Sequence, residues 1–137
     1  MRLIAAILLC LTILPATGPA EAERIVSAEE FERMVTGKTY HFDRRGEAFG
    51  AEQYFSDKRV IWAFEGGDCQ RGIWFENTSG QICFVYETNP SPQCWDFIEM
   101  PTGDFHARAV GDDPVDDLVT TDVDTGPLEC PLPDLGV

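Results

Sequence analysis

The rhythm of apolar and polar positions changes twice along the chain. Residues Leu3 to Leu14 form one apolar run behind Arg2, with Thr12 its one polar residue, and Pro15, Gly18 and the triplet Ala20-Glu21-Ala22 follow it. A positive start, a short apolar stretch and an A-x-A site read as a secretory signal peptide over residues 1–22, too short to span a bilayer. Cys10 lies inside the apolar run and lacks the small residues expected before a lipidated cysteine, so cleavage after Ala22 is favoured over lipid attachment.

The next rhythm is helical. Ser27 starts it as an N-cap, with Glu30 three residues on completing a capping box. Val26 and Phe31 make a hydrophobic staple, and Phe31, Met34 and Val35 form one stripe that ends at Gly37. The pattern predicts a helix over 27–36. So short a helix must dock its stripe on something, and the outer face of Val60–Phe64 is the expected place.

From Lys38 onward the period is two. Lys38–Asp43, Gly50–Ser56, Arg59–Glu65, Gly72–Glu76, Gln81–Glu87, Cys94–Glu99, Phe105–Val110 and Leu118–Val123 read as strands separated by turn residues. Val60-Ile61-Trp62-Ala63-Phe64 is apolar on both faces, as in a strand covered on both sides. Asn77-Thr78-Ser79-Gly80 reads as a hairpin loop. Pairing Glu76 with Gln81 would set Phe75 and Ile73 on the same face as Ile82 and Phe84, with the acids on the other. Pro90 and Pro92 argue that Thr88–Gln93 is a loop.

No crossover is long enough for parallel pairing. The expected fold is mainly β: a small antiparallel up-and-down β-barrel or half-barrel of about eight strands, with one N-terminal α-helix and two disulfides. One domain over 23–137 is expected, with the meander over 38–123 and an irregular tail over 124–137. Tyr40, Phe42, Trp62, Phe64, Phe75, Phe84 and Trp95 are expected to fill most of the barrel.

Signal removal leaves Cys69, Cys83, Cys94 and Cys130, an even set in an exported small domain, which argues for two disulfides. Their spacing is too wide for a zinc site. Of the three pairings, strand parity favours Cys83–Cys94, with Cys69–Cys130 tying down the tail. The simple loop before Cys94 would set it opposite Glu87, so that pairing requires a bulge or a bent strand.

Charge narrows the partners. The net charge is −14, and it stays there when Arg2 and Glu21 leave together. Nucleic acid and anionic membrane surfaces are disfavoured, since nothing here could neutralise phosphates. Among acids, Asp112, Asp113, Asp116, Asp117, Asp122 and Asp124 do not match a calcium loop and read as solvated. His41 and His106 read as surface or hydrogen-bonded histidines. Asn77-Thr78-Ser79 matches a glycosylation sequon but reads as a turn. No nucleophile elbow or phosphate loop is present, so no catalytic, cofactor-binding or metal-ligating set is predicted. The candidate binding loops are those carrying Arg44, Arg45, Arg71, Asp112 and Asp113, with paired surface charge the plainer reading of the arginines.

The run Gly72-x-Trp-Phe75, Ile82-Cys-Phe-Val-Tyr-Glu87, Pro92-Gln-Cys-Trp-x-Phe97, preceded by Arg59-Val-Ile-Trp-Ala-Phe64, resembles small exported bacterial domains of unknown function, of alphaproteobacterial type. The resemblance implies a periplasmic location and a calycin- or lipocalin-like barrel, and carries no catalytic residues. The expectation is an exported, periplasmic or secreted, non-enzymatic binding module for a small ligand or a protein. The alternative is an acidic inhibitor of a basic extracytoplasmic enzyme such as a lysozyme or a protease.

Overall fold

The computed structural model describes residues 22–130. The signal-peptide and Cys10 readings, and the tail beyond Cys130, lie outside the described residues. Strand β1 (Arg24–Ile25) leads to helix α1 (Ala28–Val35), then β2 (Thr39–Arg44), β3 (Glu47–Tyr54), β4 (Arg59–Phe64), β5 (Cys69–Glu76), β6 (Ile82–Tyr86), β7 (Asn89–Glu99), β8 (Phe105–Ala109) and β9 (Leu118–Asp124). Each strand from β2 to β9 pairs antiparallel with the next, and β9 returns to β2, so eight strands close into an up-and-down barrel. Closure removes the edges that a half-open sheet would expose. The short β1 adds to β7 outside the ring.

Helix α1 begins as its residues dictate. The Ser27 hydroxyl accepts from the Glu30 amide at 3.2 Å, and the Glu30 carboxylate accepts from the Ser27 amide. Gly37 takes φ +75° after the last turn. The helix does not cover the outer face of β4. It plugs one end of the barrel, where Phe31 is fully buried and meets Tyr54, Trp74, Phe84 and Phe97 with ring centroids 4.4–6.4 Å apart. One end of a barrel offers an apolar disc ringed by strand ends, and an eight-residue amphipathic helix fits that disc better than a wall. Lys58 closes the seam, with its ammonium 4.3 Å above the Trp74 ring and 3.8 Å from Glu32 on the helix.

What lies across the outer face of β2–β5 is the tail. The Thr39 hydroxyl donates to the Gly126 carbonyl at 2.6 Å, the Leu128 amide donates to Gln53 at 3.1 Å, and Cys130 is bonded to Cys69. This strap accounts for the two-sided apolar character of Val60–Phe64, whose outward Ile61 and Ala63 are half-buried.

The β5–β6 hairpin is one residue out of the expected register. Asn77, not Glu76, pairs with Gln81: its amide donates to the Gln81 carbonyl, and its side-chain oxygen accepts from the amides of Ser79 and Gln81. Gly80 at φ +80° completes the loop. Trp74 therefore stands opposite Phe84 inside the barrel, while Phe75 faces Cys83 on the outside. Trp74 is 2% exposed and Phe75 36%, so Phe75 does not belong to the interior and Trp74 does. The turn chemistry of Asn77 outweighed the tidier separation of charges on the outer face.

The Cys83–Cys94 pairing holds, and the two residues stand directly opposite in the β6–β7 register. The shift it requires occurs between Phe84 and Tyr86. Asn89–Gln93 is strand rather than loop, since Tyr86 pairs with Asn89 across a two-residue turn. Pro90 and Pro92 are tolerated because β8 pairs with β7 only from Trp95 onward, so this overhang has one neighbouring strand. Together the two disulfides indicate an oxidising, extracytoplasmic environment for the folded chain.

Candidate functional site: a cavity in the open half of the barrel

The end of the barrel opposite α1 is open, and a cavity of about 460 Å³ runs inward from it. The expected solid aromatic filling is confined to the plugged half. Two glycines account for the difference. A Cβ at Gly50 would stand 2.6 Å from the Trp62 indole and 2.5 Å from the Ala63 carbonyl oxygen. A Cβ at Gly72 would stand 2.7 Å from the Tyr86 ring and 2.5 Å from the Val85 carbonyl oxygen. With no side chains at these positions, the two large rings lie along the wall instead of projecting across the lumen. Ala107 keeps a third wall position small.

Parity along β3 decides the chemistry of the cavity. Tyr54 is inward, so Glu52 two residues earlier is inward too, paired across the wall with Tyr40 of β2 and Trp62 of β4. Glu52 is 4% exposed and lines the cavity. The Tyr86 hydroxyl, from β6 three strands along the wall, donates to its Oε1 at 2.7 Å, and the Tyr54 hydroxyl donates to its Oε2 at 3.3 Å. Among the described residues it has no lysine or arginine partner. Burial dominates its ionisation and pushes the carboxyl up to about 8, while the two phenol donors pull the other way. The same burial, with the carboxyl beside them, raises both phenols, so they stay protonated donors at ordinary pH.

Around this carboxyl the lining is aromatic. Phe42, Trp62, Phe84 and Tyr86 form the deeper wall, and Phe49, Phe64 and Trp95 the mouth. Phe64 stands edge-on to both Trp62 and Phe49, with centroids 5.3 and 5.4 Å apart, and is nearly half-exposed at the rim. Polar groups collect at one side of the mouth, where the Thr88 hydroxyl donates to Gln70 at 2.5 Å. No family model, curated protein or solved structure matches the chain.

The candidate loop residues divide. Arg44 and Arg45 meet the acidic loop: Arg45 reaches Asp116 at 2.8 Å, and Arg44 reaches Asp116 at 3.3 Å and Asp112 at 3.9 Å. Arg44 also lines the cavity mouth, with its guanidinium 5.6 Å from the Phe49 ring. Arg71 stands apart, outward on β5 opposite Ile61. Asp113 is used locally, its side chain accepting from the Val115 amide at the start of the 3-10 turn Pro114–Asp116.

Asp117 is not a solvated loop acid. It is 4% exposed and receives two hydrogen bonds from Arg108, at 2.8 and 2.7 Å, with His106 Nδ1 at 3.3 Å. On the outer wall, His41 bonds Asp124 at 2.9 Å, and Asp122 brings a third ligand atom within 4.8 Å. None of these clusters opens into the cavity. Glu52, Tyr54 and Tyr86 are the site residues that the candidate loops missed. Their signal was present in Gly50-Ala-Glu-Gln-Tyr54, where an acid shares parity with an inward tyrosine.

Proposed function

We propose that this protein is an exported binding module that holds a small organic ligand in the open half of its barrel, acting in the periplasm or as a secreted protein. The observation that carries the reading is the cavity of about 460 Å³, walled by aromatic rings around one buried carboxyl. A volume in the range of about 300–1,000 Å³ with few convergent polar groups is what small-molecule sites have. A buried, cation-free carboxyl is costly to a fold, so its retention there supports a role toward a ligand. Among the described residues the lining offers one carboxyl and two phenols, with the Arg44 guanidinium, the Thr88 hydroxyl and the amides of Gln70, Asn89 and Gln93 toward the mouth and no nucleophile beside a base, and we read it as binding rather than catalysis. The acidic loop that a basic partner enzyme would contact is largely engaged within its own fold, through Arg44, Arg45 and Arg108. The cavity therefore carries the proposal.

The test is a titration of the disulfide-intact protein with the neutral reporter N-phenyl-1-naphthylamine, read by energy transfer from Trp62 and Trp95. Saturable binding at one site per chain is expected, and Ala107→Phe, which places a ring in the lumen, should abolish it. Absence of saturable binding, or binding unchanged by Ala107→Phe, would remove the proposal.

A further inference from the structure

Resting on the small-ligand reading above, we propose that the ligand is an organic cation whose ammonium head group sits against Glu52 while its apolar remainder lies between the aromatic rings. Three features converge on that class. Among the described residues Glu52 is the one carboxyl in the lining and has two hydrogen-bond donors but no cation, so its oxygens are oriented and its ionised form is left for a ligand to balance. The rings of Phe42, Trp62, Phe84 and Tyr86 line the same cavity, and aromatic faces attract cations by their quadrupole, most strongly where water is excluded. The whole chain carries a net charge of −14, which draws cations toward its surface and speeds their encounter. The one cation in the lining, Arg44, already faces Asp116 and Asp112 at the mouth. It offers an incoming anion a neutralised partner. The volume holds on the order of fifteen water-sized groups, which suits a short-chain or single-ring amine rather than a lipid.

The geometry also dictates a proton step. The groups that face Glu52 are Tyr54 on its own strand and Tyr86 from β6, both phenols raised by burial; Tyr40, its neighbour on β2, turns its hydroxyl to the Met34 carbonyl, and at the mouth Arg44 stands against Asp112 and Asp116. Glu52 is therefore the group that titrates in the neutral range, with its carboxyl at about 8. When a permanently charged ligand enters below that pH, the carboxyl O–H bond breaks, its proton passes to solvent, and the carboxylate remains against the ammonium. Affinity then follows the ionised fraction of Glu52 and rises about 100-fold from pH 6 to pH 9.

The experiment compares three probes of similar size by calorimetry: octyltrimethylammonium, decanol and decanoate. The cation is expected to bind best at pH 8, with about 100-fold tighter binding at pH 9 than at pH 6. Near pH 6.5 it should release close to one proton, measured in buffers of different ionisation enthalpy. Glu52→Gln should weaken the cation and flatten its pH profile. The proton count needs only the unmutated protein, so it decides even if that variant folds poorly. Decanol or decanoate matching the cation, no proton release, or Glu52→Gln binding the cation as tightly would overturn the cation proposal. If these failures occur while N-phenyl-1-naphthylamine still binds in the lumen, the cavity reading stands. Loss of all binding overturns both.

Discussion

Replacing Glu52 by Gln tests the electrostatics of the cavity without any ligand. Gln keeps the shape and an acceptor for the Tyr86 hydroxyl, at 2.7 Å in the native chain, while removing the titration. In the folded protein the Glu52 carboxyl holds its proton up to about 8, against 4.5 in an open chain. Between those values the unfolded state has released a proton that the folded state keeps, so stability falls as pH rises through the window. Each unit of difference corresponds to about 1.36 kcal/mol, and integration from pH 5.5 to pH 8 gives a loss of about 3 kcal/mol from this one group. The remaining titrations are common to both proteins and cancel in the comparison. The advantage of Glu52→Gln over the native chain should therefore grow by about 3 kcal/mol between pH 5.5 and pH 8, measured by denaturant unfolding with both disulfides intact. A gap that stays constant across this range would mean that Glu52 is ionised in the folded barrel at neutral pH, and the buried-carboxyl reasoning would be wrong.

Three further outcomes follow from the fold. Trp74→Ala should cost about 3–5 kcal/mol and Phe75→Ala about 1 kcal/mol or less, because Trp74 is 2% exposed and Phe75 36%; a reversed order by denaturant unfolding would restore the alternative hairpin register. Asp117→Ala should cost about 2–3 kcal/mol by removing both Arg108–Asp117 hydrogen bonds and leaving Arg108 only the exposed Glu23, whereas Asp113→Ala, at an exposed turn, should cost about 1 kcal/mol or less; equal effects would deny that Asp117 is a buried anchor. Removing Cys69–Cys130, which spans 61 residues, should lower stability by about 4 kcal/mol, and removing Cys83–Cys94, which spans 11, by about 3 kcal/mol; equal melting points for the two double-alanine variants would count against a chain-entropy origin.

The strands and the helix were legible because each is written in local terms. The capping box at Ser27 and Glu30 needs only four residues, and the two-residue alternation needs only a strand. The pairing Cys83–Cys94 was legible for the same reason, since parity set both cysteines on one face. What escaped depends on how distant pieces meet. Nothing near Phe31 says that its stripe faces the end of a closed barrel, because closure is a property of all eight strands. The hairpin register escaped because two local signals near Asn77 conflict: its side chain closes the turn by accepting from the Ser79 and Gln81 amides, while charge separation favours pairing Glu76 with Gln81. The cavity was the least legible, because it comes from what Gly50 and Gly72 lack, and its meaning depends on the rings that lie over them.

The two halves of the barrel divide the physical work. The plugged half packs Phe31 against four rings and supplies most of the burial that stabilises so small a domain. The open half gives up that packing and leaves a buried carboxyl without a cation, which costs stability wherever the group ionises. Tyr54 stands at the boundary. Its ring packs edge-on to Phe31 at 5.6 Å, and its hydroxyl donates to Glu52 at 3.3 Å. The plug thus fixes the ring that orients the carboxyl, so the donor geometry at the cavity floor is set by the rigid end of the molecule rather than by its mouth. The disulfides and the strap lie on the outward positions of the same strands, where they brace the wall without occupying the lumen. A barrel braced from outside and plugged from below can keep side chains out of its upper interior, and that cavity is what a ligand-binding reading requires.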